Sequence, residues 1–191
     1  LKARPKAGSS LLGARFLDTA QRWLWDRPFS ADDIRSLREL KQRAEADVSR
    51  RGIADREVKR GPGGIRDIEF TAQLLQLVHG RADTLLRSPT TLDALGDLAE
   101  AGYVDDADAE ELADAYRFLR SVEHRLQLVD EQQTHLVPPD GPDRVWLARV
   151  LGLRDTPEGT AVEQLDRRLR RERNTVRAIH ERVYFRPLLE A

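Results

Sequence analysis

Apolar residues return at three- and four-residue intervals along almost the whole chain and do not alternate with polar ones over any long window, so the pattern predicts helices and no sheet. A first helix is predicted over about Ser9 to Trp25, with Leu12, Phe16, Ala20, Trp23 and Leu24 on its inner face and Pro28 as its stop. Ser30-Ala31-Asp32-Asp33 resembles a capping box with Asp in place of Glu or Gln. It opens a second helix to about Arg51, whose apolar stripe is Ile34, Leu37, Leu40, Ala44 and Val48. After a break over Gly52 to Gly64, a third helix runs from Ile65 to about His79, with Gly80 at its C′ position. A short helix introduced by Ser88-Pro89-Thr90 carries Leu92, Leu95, Leu98 and Ala101 and stops at Gly102. Asp105 caps a long helix to about Gln133, with Leu112, Ala115, Tyr116, Leu119, Val122, Leu126 and Val129 facing inward. Pro138-Pro139-Asp140-Gly141-Pro142 is a hard break, followed by a helix near Arg144 to Leu151 and a highly charged one from about Thr160 to Tyr184. The fold class that follows is all-α, a multi-helix bundle around one long central helix.

Composition narrows this picture. With 191 residues and 40% hydrophobic content, the chain can bury one main core. The 32 Lys plus Arg nearly cancel the 33 Asp plus Glu, which leaves no net field to draw nucleic acid or anionic lipid. Cysteine is absent, so disulfides, thiolate metal sites and cysteine nucleophiles are excluded. No apolar run approaches the roughly 20 residues of a membrane helix, and Leu1-Lys2-Ala3-Arg4-Pro5 lacks the apolar core of a signal peptide. The expectation is a cytoplasmic chain with neither nucleic acid nor membrane as partner. It starts at leucine and contains no methionine, which suggests a piece of a longer protein.

The chemically loaded segment is Lys59-Arg60-Gly61-Pro62-Gly63-Gly64-Ile65-Arg66-Asp67-Ile68-Glu69-Phe70. Glycines just before a helix can expose backbone N–H groups at the positive end of the helix dipole, where anions are favoured, and Lys59 and Arg60 add charge beside them. The segment is neither a Walker A loop nor a G-x-G-x-x-G fingerprint, and by spacing alone an ordinary glycine turn before a helix is the favoured reading. On the helix that follows, Arg66, Glu69, Gln73 and Gln76 form one polar rail beside the apolar stripe of Ile65, Ile68, Ala72 and Leu75. The long helix carries a second rail of Arg120, Glu123, Gln127 and Asp130, with His124 adjacent. Facing each other, the rails would form a buried ionic network; facing water, they would be solvated surfaces. Asp67 and Glu69 diverge by about 200° on a helix and cannot clamp one metal ion together. His79, His124, His135 and His180 show no ligand spacing and read as surface or hydrogen-bonded structural residues. No metal site and no complete catalytic centre can be assembled from these residues.

Val58 to Gln76, Tyr116 to Gln127, and Gln132-Gln133-Thr134-His135-Leu136-Val137-Pro138 together resemble the bacterial glutamine synthetase adenylyltransferase family, whose members attach AMP to glutamine synthetase and remove it. In that family two nucleotidyltransferase halves each join a polymerase-β-like catalytic domain to a helical domain, and I-R-D-I-E-F resembles the first, AMP-removing half. Leu1 to Gly8 is similar to the K-A-R stretch that closes the catalytic domain. The resemblance therefore implies that residues 1–28 are the catalytic domain's edge and a connecting helix, and residues 29–191 the helical bundle. It implies Mg²⁺ chemistry in the intact enzyme, with phosphate attacking an adenylyl-tyrosine linkage to release ADP. The G-S-x-x-x-x-x-D-x-D element that would hold the metal is absent, so its ligands are expected outside this chain and the fragment alone is expected to be inactive. Carried over, Lys59, Arg60, Gly63, Gly64 and Arg66 become phosphate- or nucleotide-facing candidates, supported by Asp67, Glu69, Gln73, Arg120, Glu123, His124 and Gln127. The implied partners are glutamine synthetase, a PII signalling protein, ATP or ADP, and phosphate. Two other readings stand beside this one: a docking module for PII or glutamine synthetase, and the helical domain of a PII uridylyltransferase.

Overall fold

The structure, a computed structural model, describes residues 1–129 and 133–184. The described residues form α1 (Ser10–Trp25), α2 (Ala31–Arg50), α3 (Ile65–His79), α4 (Thr91–Glu100), α5 (Asp106–Val129), α6 (Pro142–Val150) and α7 (Ala161–Tyr184). A 3-10 turn over Thr84–Leu86, which the periodicity does not reveal, links α3 to α4. The all-α expectation holds. Among the described residues no helix is long and apolar enough to cross a membrane.

Helices α3, α4, α5, α6 and α7 share one core, with Ile65, Ile68, Ala72 and Leu75 of α3 set against Leu95 and Leu98, Leu112, Leu119 and Val122, Leu147, and Leu165 and Val176. Burial of each of these Leu, Ile and Val side chains contributes about 1.5–3 kcal/mol. Ile34, Leu74 and Tyr184 make a second cluster that ties α2 to α3 and α7. Local chemistry sets the helix starts. The capping box of α2 closes although its acid is one methylene short, because Ser30 Oγ accepts from Asp33 N at 3.2 Å and the Asp33 carboxylate accepts from Ser30 N at 2.9 Å. Helix α6 begins at Pro142, two residues earlier than the apolar pattern suggests, because proline suits the first helical position.

Three packing expectations are corrected. The assumed inner face of α1 is largely outside: Leu12, Phe16 and Trp23 are 69%, 61% and 82% exposed, and Trp25 is the one buried residue of that helix. Apolar periodicity marks a face that seeks a partner and does not say where the partner is. On α2, Leu40 is exposed and its neighbour Lys41 is buried. Ile34, Lys41 and Val48 follow at intervals of seven, so the lysine lies in line with the core residues. Gly80 ends α3 with right-handed backbone (φ −67°), not the left-handed C′ conformation. Glycine is needed there for space, since a Cβ would come within 2.9 Å of the Trp25 ring. Helix α5 is described to Val129, and Gln133, near which the long helix is expected to end, lies outside any helix; Asp130 and Gln132 of the motifs above fall within residues 130–132, outside the described residues.

Candidate functional site

The segment before α3 is folded around its own acids. Glu57 is buried and accepts from the backbone N–H groups of Lys59 and Arg60 at 2.9 and 3.0 Å, and from the Arg60 side chain. The N–H of Gly63 donates to Asp67 Oδ2 at 2.8 Å. Those of Gly64, Ile65, Arg66 and Asp67 donate to the carbonyls of Gly61, Val58, Lys59 and Gly64. The anion held at this helix start is thus the chain's own Asp67, three residues into the helix and reaching back over its first turn. Gly63 has φ +69°, and a Cβ there would sit 2.0 Å from the Arg173 carbonyl oxygen of α7. Gly63 is buried in that contact and Gly64 against the loop's own carbonyls of Val58, Lys59 and Gly61, so for both residues the exposed anion loop gives way to a packing turn.

Under the turn lies an ionic cluster. Asp67 is 2% exposed and meets Lys41 Nζ at 3.3 Å and Arg177 Nη1 at 3.9 Å. Glu45 pairs with Lys41 and lies 2.8 Å from Arg177. Burial pushes the Asp67 carboxyl above its ordinary range, although Lys41 and the Gly63 N–H pull it down. Beside it Thr71 Oγ1 lies 2.7 Å from His180 Nδ1, and the His180 ring stacks on Tyr184. Burial, with Lys41 and Arg177 nearby, lowers the His180 pKa to about 3, so the ring is neutral. Arg173 donates from α7 to the carbonyls of Ala54, Asp55 and Pro62, which fastens the loop from below.

A second cluster reaches the surface. Glu123 of α5 is 2% exposed, and its carboxylate gathers Lys59 Nζ at 3.2 Å, the Arg120 guanidinium, and His135 Nδ1 at 2.8 Å. His135 is placed by chain pairing: Val58 N donates to its carbonyl at 3.0 Å, and Val137 N donates to Arg56 O at 2.8 Å. Further along, Glu69 receives Lys2 Nζ at 3.1 Å and the Tyr116 hydroxyl at 3.3 Å, while Lys2 also reaches Thr91.

The two rails do not pair as a whole. Gln76 turns to the carbonyls of Leu86 and Ser88, Arg66 lies over the Phe70 ring at 5.4 Å, and His124 is exposed. Gln73 and Gln127 are half-buried. Asp67 and Glu69 face opposite sides, as the helix angle requires. What comes together is Lys59, Arg120 and Glu123, joined by His135; Arg60 closes on Glu57. Lys41, Arg173, Arg177 and His180 are not legible as site residues, because each acquires its role from a partner distant in sequence; Glu57 holds its near neighbours Lys59 and Arg60, but only the fold buries it. Among the described residues no three His, Cys, Asp or Glu side chains converge as a metal site requires. The oxygens of Asp67 and Glu123 are taken by cations and N–H groups, so these carboxylates do not fit Mg²⁺.

A bundle that presents a glycine turn, an acid-anchored lysine and the E-H-R-L-Q element in this order has a family assignment. Residues 35–184 match the model of the GlnD PII-uridylyltransferase family, and the chain belongs to that family. Among individual proteins, the whole chain is similar to bifunctional glutamine synthetase adenylyltransferase/adenylyl-removing enzymes. It is 47% identical over 191 residues to that of Streptomyces avermitilis and 48% to that of Streptomyces coelicolor. The corresponding protein of Mycolicibacterium smegmatis is 41% identical over 195 aligned residues. The chain spans 19% of the length of each of these three relatives.

Proposed function

We propose that this chain is the helical domain of the adenylyl-removing half of a bifunctional glutamine synthetase adenylyltransferase, and that its Lys59–Glu123 face borders an active site whose Mg²⁺ ligands lie elsewhere in the protein. The observation that carries this is the anchoring of Lys59 on a buried carboxylate at a turn that meets no backbone need for the lysine's charge. Identity of 39–48% along the full chain to adenylyl-removing enzymes favours this reading over a PII uridylyltransferase domain. Residues 1–28 are the junction with the catalytic domain: Lys2 is already fastened to Glu69 and Thr91, and the open face of α1 awaits a neighbour. The bound Mg²⁺ would supply Lewis-acid assistance to phosphoryl transfer; the residues of this chain position phosphate and close the site against water.

In this function the protein is cytoplasmic, its substrate is adenylylated glutamine synthetase, phosphate is the acceptor, ADP is the product, and ATP serves the opposite reaction. A PII signalling protein acts as regulator. Replacing Lys59 with Ala in the whole protein should lower phosphate-dependent removal of AMP by about 10- to 100-fold, in line with loss of a charge-assisted phosphate contact. Binding of PII should persist. Undiminished AMP removal with lost PII binding would instead support the docking-module reading.

A further inference from the structure

We propose that Lys59, Arg120 and His135, gathered on the Glu123 carboxylate, form a binding site for a phosphate group, and that filling it is coupled to proton uptake by His135. The inference deepens the functional reading above and rests on it for the source of the phosphate.

Charge balance comes first. Lys59 and Arg120 bring two fixed positive charges to the single negative charge of Glu123, while Arg60 is neutralised separately by Glu57. One positive charge is left over even with a neutral imidazole. The carboxylate is buried, but the groups it holds reach outward, since the side chains of Lys59, Arg120 and His135 are 32%, 48% and 21% exposed. An ammonium has three donors and a guanidinium five, and Glu123 occupies only part of each set. The remaining N–H groups are already confined to one place, which lowers the entropy lost when an anion is bound. A phosphate oxygen is their natural acceptor.

His135 gives the site its proton linkage. Its Nδ1 lies 2.8 Å from the Glu123 carboxylate without hydrogen-bond geometry, so the ring sits beside the acid and this nitrogen is buried without a hydrogen-bond partner. The groups facing the ring are Lys59, Arg60 and Glu57 of the glycine loop and Glu123 of α5, with Arg120 behind Glu123. Burial and the Lys59 charge hold the ring below its ordinary pKa of 6.5, against the pull of Glu123 and Glu57. A phosphate dianion bound beside Lys59 and the His135 ring screens the lysine's charge and favours a proton on the ring.

The test is titration calorimetry of the whole protein with inorganic phosphate at pH 7, in buffers of different ionisation enthalpy. Saturable binding is expected; because phosphate at pH 7 is a mixture of mono- and dianion and itself releases protons when the dianion binds, the uptake by His135 is read as the difference from His135→Gln, up to about one proton. Lys59→Gln should weaken binding at least tenfold. Arg170→Gln on α7 should leave affinity within twofold. Competition by ADP but not by AMP would identify the ligand as a nucleotide's terminal phosphate, and absence of competition would identify free phosphate. Equal proton counts for the unaltered protein and His135→Gln, or equal affinities in all three variants, would overturn the site. Removal of AMP by the unaltered protein is measured in parallel. Activity together with unchanged affinity in the variants would sink the site and leave the functional reading standing; the site's signature in an inactive protein would sink that reading instead.

Discussion

Gly63 shows most directly how one position can decide a structure. Its positive φ and the Arg173 carbonyl at the place of a Cβ combine two penalties that a side chain cannot escape. Gly63→Ala should destabilise the chain by about 3 kcal/mol or more, read by urea denaturation; a loss under about 1 kcal/mol would mean that the α7 contact yields. Lys41 makes a complementary case. Lys41→Met leaves the buried Asp67 with less compensation and Glu45 half-buried beside it, and a loss of about 3–5 kcal/mol is expected, of which the additional change Asp67→Leu should recover most. His180 sets a pH dependence. Its folded pKa of about 3 lies below the 6.5 of the unfolded chain, so the unfolded state binds the proton first. The stability of the neutral ring is therefore complete above pH 6.5 and is lost as pH falls from there toward 3, by about 1.4 kcal/mol per unit. Asp67, raised by burial, acts with the opposite sign and His135, lowered by burial, with the same sign, so the share of His180 is the part of the slope that its replacement removes. Denaturation at pH 7, 6 and 5 should show this slope, and His180→Gln should flatten it.

At the level of elements, α1 and α3 differ in what their apolar stripes achieve. The stripe of α3 is satisfied within the bundle, whereas Leu12, Phe16 and Trp23 of α1 remain in solvent while Trp25 alone anchors the helix against Gly80 and Arg87. Phe16→Ser with Trp23→Ser should therefore change the stability of the 191-residue chain by less than about 0.5 kcal/mol. In the whole protein the same pair should lower the melting temperature if, as proposed, α1 is the junction that the catalytic domain covers. An equal effect in both would place these side chains within the bundle's own core. Helix starts were the most legible elements: Ser30 and Asp33 close the box that their spacing announces, and Pro142 begins α6. The glycine turn was half legible. Its place before α3 followed from residue types, but the acceptor for its amides did not, since Asp67 could satisfy them only once the helix had placed it three residues on.

For the whole molecule, the bundle supplies positioned cations and not a complete centre of chemistry. The 191-residue chain supplied with Mg²⁺, phosphate and adenylylated glutamine synthetase should release no ADP, and measurable turnover would overturn the assignment of the metal ligands to another part of the protein. The Lys59–Glu123–His135 cluster joins three stretches of chain: the loop before α3, the middle of α5 and the segment after it. No local spacing could have announced it, and the E-H-R-L-Q and Q-T-H elements that contain Glu123 and His135 gave position without partnership.

The sequence by itself determined the helical class, most helix boundaries and the identity of the segment on which the chemistry centres, because periodicity, caps and breakers act over a few residues. Tertiary structure alone decided which charges are buried and what they hold. Burial fixes the ionisation of a group, and a carboxylate such as Asp67 or Glu123 becomes an anchor only when helices distant in sequence close over it and bring their cations within a few ångströms.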